Sequence, residues 1–144
     1  NSQRADFRAH NVAYVYQEFH LIPYLNVLDN VQIADLALGT GSKSRAVEIL
    51  EKFGLSERVE HLPSELSVGE QQRVALSRAI YAGAKIILAD EPTGNLDTEN
   101  AEVVLKALQD FTEQGGIVLM VTHDDRALSY ASRKLSMKAG SWTE

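Results

Sequence analysis

The chain contains no cysteine, which removes disulfides and thiolate-bound metals from consideration and fits a reducing compartment. It has no apolar run approaching the roughly 20 residues that span a bilayer, and no signal-peptide pattern at its amino terminus. If it works at a membrane, another subunit is expected to hold it there. Positive charge is not in excess: 14 Lys and Arg stand against 20 Asp and Glu, a formal net charge of -6. This balance argues against broad electrostatic capture of nucleic acid or anionic lipid, while local phosphate binding stays open. A phosphate-binding loop of the form Gly, four residues, Gly-Lys-Ser/Thr is also missing. Lys43-Ser44 is the only lysine followed by Ser or Thr, and there the two glycine positions hold Ser42 and Ala37. Gly39-Thr40-Gly41-Ser42-Lys43-Ser44 therefore reads as a flexible turn between helices.

What is present suffices for one domain with a buried core: 144 residues, 44% of them apolar. The centre of the chain organises the rest. Leu66-Ser67-Val68-Gly69-Glu70-Gln71-Gln72-Arg73 opens an amphipathic helix. Ser67 and Glu70 have capping-box spacing, in which the Ser oxygen meets the third helical N–H and the Glu reaches back. The free N–H groups and dipole of such a helix start also attract an anion. Ile86-Ile87-Leu88-Ala89 then reads as a strand of a parallel sheet covered on both faces. It ends in Asp90-Glu91-Pro92. Ligands of such sheets gather beyond the strands' carboxyl ends, so the two carboxylates stand where a metal-phosphate would be handled. Adjacent strand side chains point apart, which lets one acid serve a metal while its neighbour faces water.

In chain order, Asn1–His10 reads as the end of a helix and Asn11–Tyr16 as a strand, followed directly by Gln17. Helical spacing covers Asn26–Leu38, with Gly39-Thr40-Gly41 as its stop. A second helix covers Ser44–Phe53, with Val47, Ile49, Leu50 and Phe53 toward a core and Gly54 ending it. Leu55–Leu62 reads as a short helix closed by Pro63. Gly94-Asn95-Leu96-Asp97 is a turn with an Asx-type helix start. It leads into a helix over Thr98–Phe111 with Ala101, Val104, Leu105 and Leu108 on one face. Gly115-Gly116 breaks it. Ile117–Val121 reads as a second buried strand ended by Thr122-His123-Asp124. Ala127–Ala131 is expected to be helical and Lys134–Met137 an edge strand. Taken singly, Gln17 is a polar residue at a strand end and His123 a surface histidine. His10, His20 and His61 have no metal-ligand spacing.

Together these motifs resemble the ATP-binding subunit of ATP-binding cassette (ABC) transporters. The resemblance rests on Leu66-Ser67-Val68-Gly69-Glu70 as the signature, Asp90-Glu91-Pro92-Thr93 as Walker B, Gly94-Asn95-Leu96-Asp97 as the D-loop, Gln17 as the Q-loop and His123 as the H-loop, in the family's order. The run Leu88–Asp97 looks like the bacterial branch serving lipoprotein release, macrolide or peptide export and cell division. The implied fold is α/β: a partial P-loop NTPase with a parallel sheet and an inserted helical subdomain, its Walker A strand missing. The implied segments are 1–25 for the first strand and Q-loop, 26–65 for the helical subdomain, and 66–144 for the remaining motifs.

By the same resemblance the cofactors are ATP and Mg2+. Asp90 and Gln17 would serve the metal. Glu91 would be the base or water-positioning group, His123 would contact the terminal phosphate, and Gln17 would also reach the attacking water. Ser67, Gly69, Glu70 and Asp97 would face nucleotide across a head-to-tail dimer with a second ATPase subunit. Val68 departs from the usual Gly of the signature and adds a side chain where the backbone approaches phosphate. A transmembrane permease would meet the Q-loop and helical subdomain, placing the protein at the cytoplasmic face of the inner membrane. The missing loop implies a chain that begins after Walker A, lacks the upstream aromatic that stacks on adenine, and is marginally stable and without ATPase activity in isolation. Two other readings compete: a soluble ABC ATPase acting on DNA or ribosomes, and a non-catalytic module that docks on a complete cassette.

Overall fold

The computed structural model describes residues 2–33, 35, 41–138 and 140–143. Helix α1 (Ser2–Asn11) leads into strand β1 (Val12–Val15). Helix α2 (Val27–Gln32) starts at Asn26, whose side chain accepts from the Asp29 amide at 2.8 Å. Helix α3 (Lys43–Lys52) starts at Ser42 in the same way. Two 3-10 turns, Ser56–Arg58 and Pro63–Glu65, carry the chain to helix α4 (Val68–Tyr81). Strand β2 (Ile86–Asp90), helix α5 (Thr98–Glu113) and strand β3 (Ile117–Val121) follow. A 3-10 turn (Asp125–Ser129) precedes strands β4 (Ser136–Lys138) and β5 (Ser141–Thr143).

Strands β1, β2 and β3 form one parallel sheet with β2 in the middle. The register pairs Ala13 with Ile87 and Ile87 with Val118, and likewise Val15 with Ala89 and Ala89 with Met120. These six residues point to one face and pack in the main core with Val27 and Val31 of α2, Val74 and Leu76 of α4, and Val104 and Leu108 of α5. The helices sit there because their apolar residues recur every three or four positions and must be buried against a common surface. In α3, Ala46, Ile49 and Leu50 fill that stripe together with the capping Phe53, so Val47, about 100° away around the helix, is exposed rather than core.

The opposite face of the sheet is open. Tyr14 stacks on Tyr16 with ring centroids 5.6 Å apart, both partly exposed. Ile117, Leu119 and Val121 are each about 60% exposed (59%, 59% and 63%). The expectation of a second buried strand at Ile117–Val121 is thus corrected: its direction and extent hold, but only Val118 and Met120 reach the core. Apolar content specifies what a strand can bury, whereas burial needs a neighbouring layer.

Other expectations shift as well. Leu55–Leu62 is not a helix: Arg58 and His61 close short turns, with the Arg58 amide on Leu55 O and the His61 amide on Arg58 O. Ala127–Ala131 yields to the 3-10 turn at Asp125–Ser129, set by Asp124, whose side chain accepts from the Arg126 amide. The edge strand expected at Lys134–Met137 is a two-stranded antiparallel ribbon with β5, separate from the parallel sheet. Helix α2 covers the front of the span Asn26–Leu38; Ala34 and the stop at Gly39-Thr40 lie outside the described residues. Gly54 and Gly115 both take positive φ (67° and 91°), where glycine ends a helix without side-chain strain.

The two faces of the sheet predict opposite responses to substitution. Ile87→Ala on the covered face is expected to cost about 2–5 kcal/mol in denaturant unfolding. Leu119→Thr on the open face is expected to change stability by less than about 0.5 kcal/mol. Comparable losses at both positions would place Leu119 in a core.

Candidate functional site

Because the three strands run parallel, their carboxyl ends share one edge. Gln17 lies two residues beyond β1, Asp90 ends β2 with Glu91 immediately after it, and Thr122 and His123 follow β3. Glu91 takes φ 45°, a left-handed conformation that costs a non-glycine residue roughly 1–3 kcal/mol and clusters at functional sites. Its amide donates to Val121 O at 2.8 Å, and its carbonyl accepts from the Gly94 amide at 3.1 Å. The resulting turn aims the carboxylate at the end of β3. There it accepts from Thr122 Oγ1 (3.0 Å) and the His123 amide (3.1 Å), and pairs with His123 Nδ1 at 2.8 Å.

The imidazole of His123 is largely exposed, with 82% of its side-chain surface in solvent, whereas Glu91 retains 20%. The hydrogen bond to Glu91, reinforced by that carboxylate's charge, raises the His123 pKa above its ordinary value. Beside this pair, Asp124 is gripped by the Arg126 guanidinium at 2.8 and 2.9 Å and by Thr93 Oγ1 at 2.7 Å, with its pKa held down to about 2. The buried Thr93 thereby ties the turn after β2 to the turn after β3. Thr93, Gly94 and Leu96 line a shallow cleft of about 380 Å³ with His123, Asp124, Asp125 and Arg126.

Asp90 is exposed and its carboxylate has no partner among the described residues. No group of three or more His, Cys or acidic residues that could hold a metal occurs among them either. One free, hard oxygen donor at the sheet's carboxyl edge fits Mg2+, which is held through one or two carboxylates and substrate phosphates rather than an all-protein cage. Gln17 stands against the turn after β2: a Cβ on Gly94 would come 3.1 Å from its Nε2. With Glu18, Phe19, His20, Leu21, Pro63, Gln71 and Asn95 it lines a second cleft, of about 430 Å³.

The remaining candidates gather at the start of α4. Ser67 caps the helix, with its Oγ accepting from the Glu70 amide at 3.2 Å and Glu70 Oε2 accepting from the Ser67 amide at 2.8 Å. The second Glu70 oxygen accepts from Arg58 Nε at 2.8 Å, and that guanidinium, with the Ser67 amide, holds the Glu70 pKa down to about 2. Both oxygens are therefore engaged within the chain. Gly69 is buried and Val68 exposed. Asp97 caps α5 by accepting from the Asn100 amide at 2.8 Å.

Three contacts were not anticipated from residue spacing. Arg78, partly buried on α4, donates to the carbonyls of Phe19 (2.9 Å) and His20 (2.7 Å) and so fastens the loop after Gln17. His20 occupies the left-handed region there, with φ 46°. The fully buried Asn30 donates to the carbonyls of Ile22, Leu25 and Asn26 and accepts from the Ile22 amide. Thr122 shares the Glu91 carboxylate with His123. The one available signal was a polar residue, Asn30 or Arg78, on a helix face otherwise buried.

The parallel sheet, its crossing helices and this carboxyl edge are those of a P-loop NTPase cassette. The chain superposes on the dimeric structure of the ATP-binding cassette MJ0796 in a post-hydrolysis state bound to ADP and Pi. The TM-score is 0.86 and the identity 34%, over 97% of this chain and 64% of that one. Residues 1–94 match the family described as ABC transporter, and the chain belongs to that family. It is 41% identical over 139 residues to a macrolide export ATP-binding/permease protein MacB of Chlorobium luteolum, covering 95% of this chain and 21% of the relative. It is also 41% identical over 147 residues to an uncharacterised ABC transporter ATP-binding protein, MJ1508, of Methanocaldococcus jannaschii, covering 99% and 65%. The chain thus spans about a fifth of the length of the MacB relatives it matches.

The raised His123 pKa fixes a sign. The ion pair with Glu91 is complete below the ordinary histidine value of 6.5 and is lost as pH rises through the raised one. An NMR titration of the His123 ring is expected to have its midpoint above 6.5, moving back toward that value in Glu91→Gln. A midpoint indifferent to Glu91→Gln would break the pairing.

Proposed function

We propose that this chain is the water-side and partner-side part of an ABC ATPase, which binds and hydrolyses Mg-ATP between two head-to-tail subunits and passes the closure to a membrane permease. The observation that carries the reading is the Glu91–His123 pair at the carboxyl edge of β2 and β3, next to the free carboxylate of Asp90. Positioning and electrostatics dominate phosphoryl transfer, and these are the groups it requires on the side of the attacking water.

In this reading Glu91 orients the water and accepts its proton. His123, an exposed cation when protonated, meets the terminal phosphate. An arriving phosphate competes with Glu91 for the imidazole and leaves a carboxylate oxygen free for water. Asp90 and Gln17 would hold a magnesium ion, which when bound would supply charge neutralisation on the phosphate oxygens. Ser67, Gly69 and Asp97 face the nucleotide bound by the second subunit, and Glu70 serves that face by capping the helix. Residues 1–25 supply the first strand and Q-loop, 26–65 the helical subdomain that meets the permease, and 66–144 the remaining motifs. No helix among the described residues is long and apolar enough to cross a membrane. The proposed place of work is the cytoplasmic face of the inner membrane, with the permease as anchor.

The test is turnover by the natural protein with Glu91→Gln. Loss of the proton acceptor is expected to lower kcat by roughly 10²–10⁴-fold while ATP still binds. Unchanged hydrolysis would assign the water-activating role elsewhere.

A further inference from the structure

We infer that Asn100 is a positioning residue that ties the signature helix to the D-loop within one chain, and that position 69 is glycine in order to seat it. The functional meaning of this tie rests on the reading above, since Ser67, Gly69 and Asp97 are the groups proposed to face the second subunit.

Asn100 lies in the first turn of α5 and is held at both ends of its amide. Its Nδ2 donates to Asp97 Oδ1 at 3.0 Å and to Asp97 Oδ2 at 2.9 Å. Its Oδ1 accepts from Arg73 Nη1 of α4. The contact to Asn100 is made through Nη1, while Arg73 Nε is buried without a hydrogen-bond partner among the described residues. Gly69 lies one turn before Arg73 on the same face of α4 and is buried. A Cβ placed there would come 2.8 Å from Asn100 Nδ2 and closer still to its Cγ and Oδ1.

A free asparagine would swing aside from such a methyl group. This one cannot move without breaking its bonds to Arg73 and Asp97. A side chain at position 69 therefore acts on Asp97, 28 residues along the chain, by displacing Asn100. The Asp97 carboxylate accepts both the amide and the side chain of Asn100, and these bonds lower its pKa. Arg73 from α4 and Arg126 from the turn after β3 are the cations whose charge reaches it. Signature and D-loop thus keep one spacing inside a subunit, and a shift of α4 carries Asp97 with it.

The experiment needs no nucleotide, so its failure is separate from failure of the ATPase reading. The Asp97 carboxyl is titrated by carbon NMR in the unsubstituted chain, in Gly69→Ala, in Asn100→Ala and in the double variant. Each single substitution is expected to raise the Asp97 midpoint, and the double variant to match Asn100→Ala alone. Melting supplies a second readout. Alanine is otherwise the better helix residue, so a lower Tm in Gly69→Ala that is recovered in the double variant reports the clash with Asn100. Should Gly69→Ala fail to fold, Arg73→Met serves in its place and is expected to speed hydrogen exchange of the Asn100 side-chain amide, a readout that loss of the Arg73 charge at Asp97 does not itself move. An Asp97 midpoint indifferent to Gly69→Ala, Asn100 side-chain amide exchange unchanged in Arg73→Met, or additive effects of Gly69→Ala and Asn100→Ala, would overturn the inference.

Discussion

Parallel pairing of β2 on both sides is the constraint on which the rest depends. Antiparallel strands would send successive loops to opposite ends of the sheet. Here the loop after β1, the turn after β2 and the turn after β3 all leave from one edge. The pairing continues one residue past the strand, where the Glu91 amide reaches Val121 O. That bond accompanies the left-handed turn at Glu91, which places its carboxylate on Thr122 and His123. Strain in the backbone and placement of the chemistry are thus parts of one geometry.

Helix α4 is the second organiser, because it is bonded to the loop after β1 and to the turn after β2. Its capped start presents Ser67, its Gln72 donates to Pro92 O at 2.8 Å in the turn after β2, and its Arg78 fastens the loop after Gln17. A rigid rod bonded to two site loops is a direct physical route by which movement at its capped start would reach the carboxyl edge of the sheet. The capping carboxylate of Glu70 would itself repel an approaching phosphate. The Arg58 guanidinium, 2.8 Å away, offsets that charge locally.

Much of this was legible along the chain. Helical spacing gave α3, α5 and the start of α4, and continuous apolar runs gave β2 and β3, each within about two residues, because a helix with one buried stripe and a short buried strand both leave a direct trace in composition. Caps were legible for the same local reason: Ser67 with Glu70, and Asp97 ahead of Thr98, bond to backbone within three residues of themselves. The short turns at Ser56–Arg58 and Asp125–Ser129 were not, since a few apolar residues suit a 3-10 turn as well as a helix. Whether Ile117–Val121 was covered on both faces was also undecidable, because its residues say what they can bury and nothing about the layer opposite.

By itself, then, the sequence determined which residues carry charge and imidazole, where strands end, and which helix starts are capped. Those are properties of neighbours in the chain. The tertiary structure alone decided that Glu91 bonds His123, that Arg78 grips two carbonyls 58 and 59 residues away, and that Asn100 fills the space a side chain at Gly69 would need. Each of these joins segments that only strand pairing and helix packing bring together. Hydrogen bonds and steric exclusion act over a few ångströms of space, a distance that residue spacing along a folded chain does not encode.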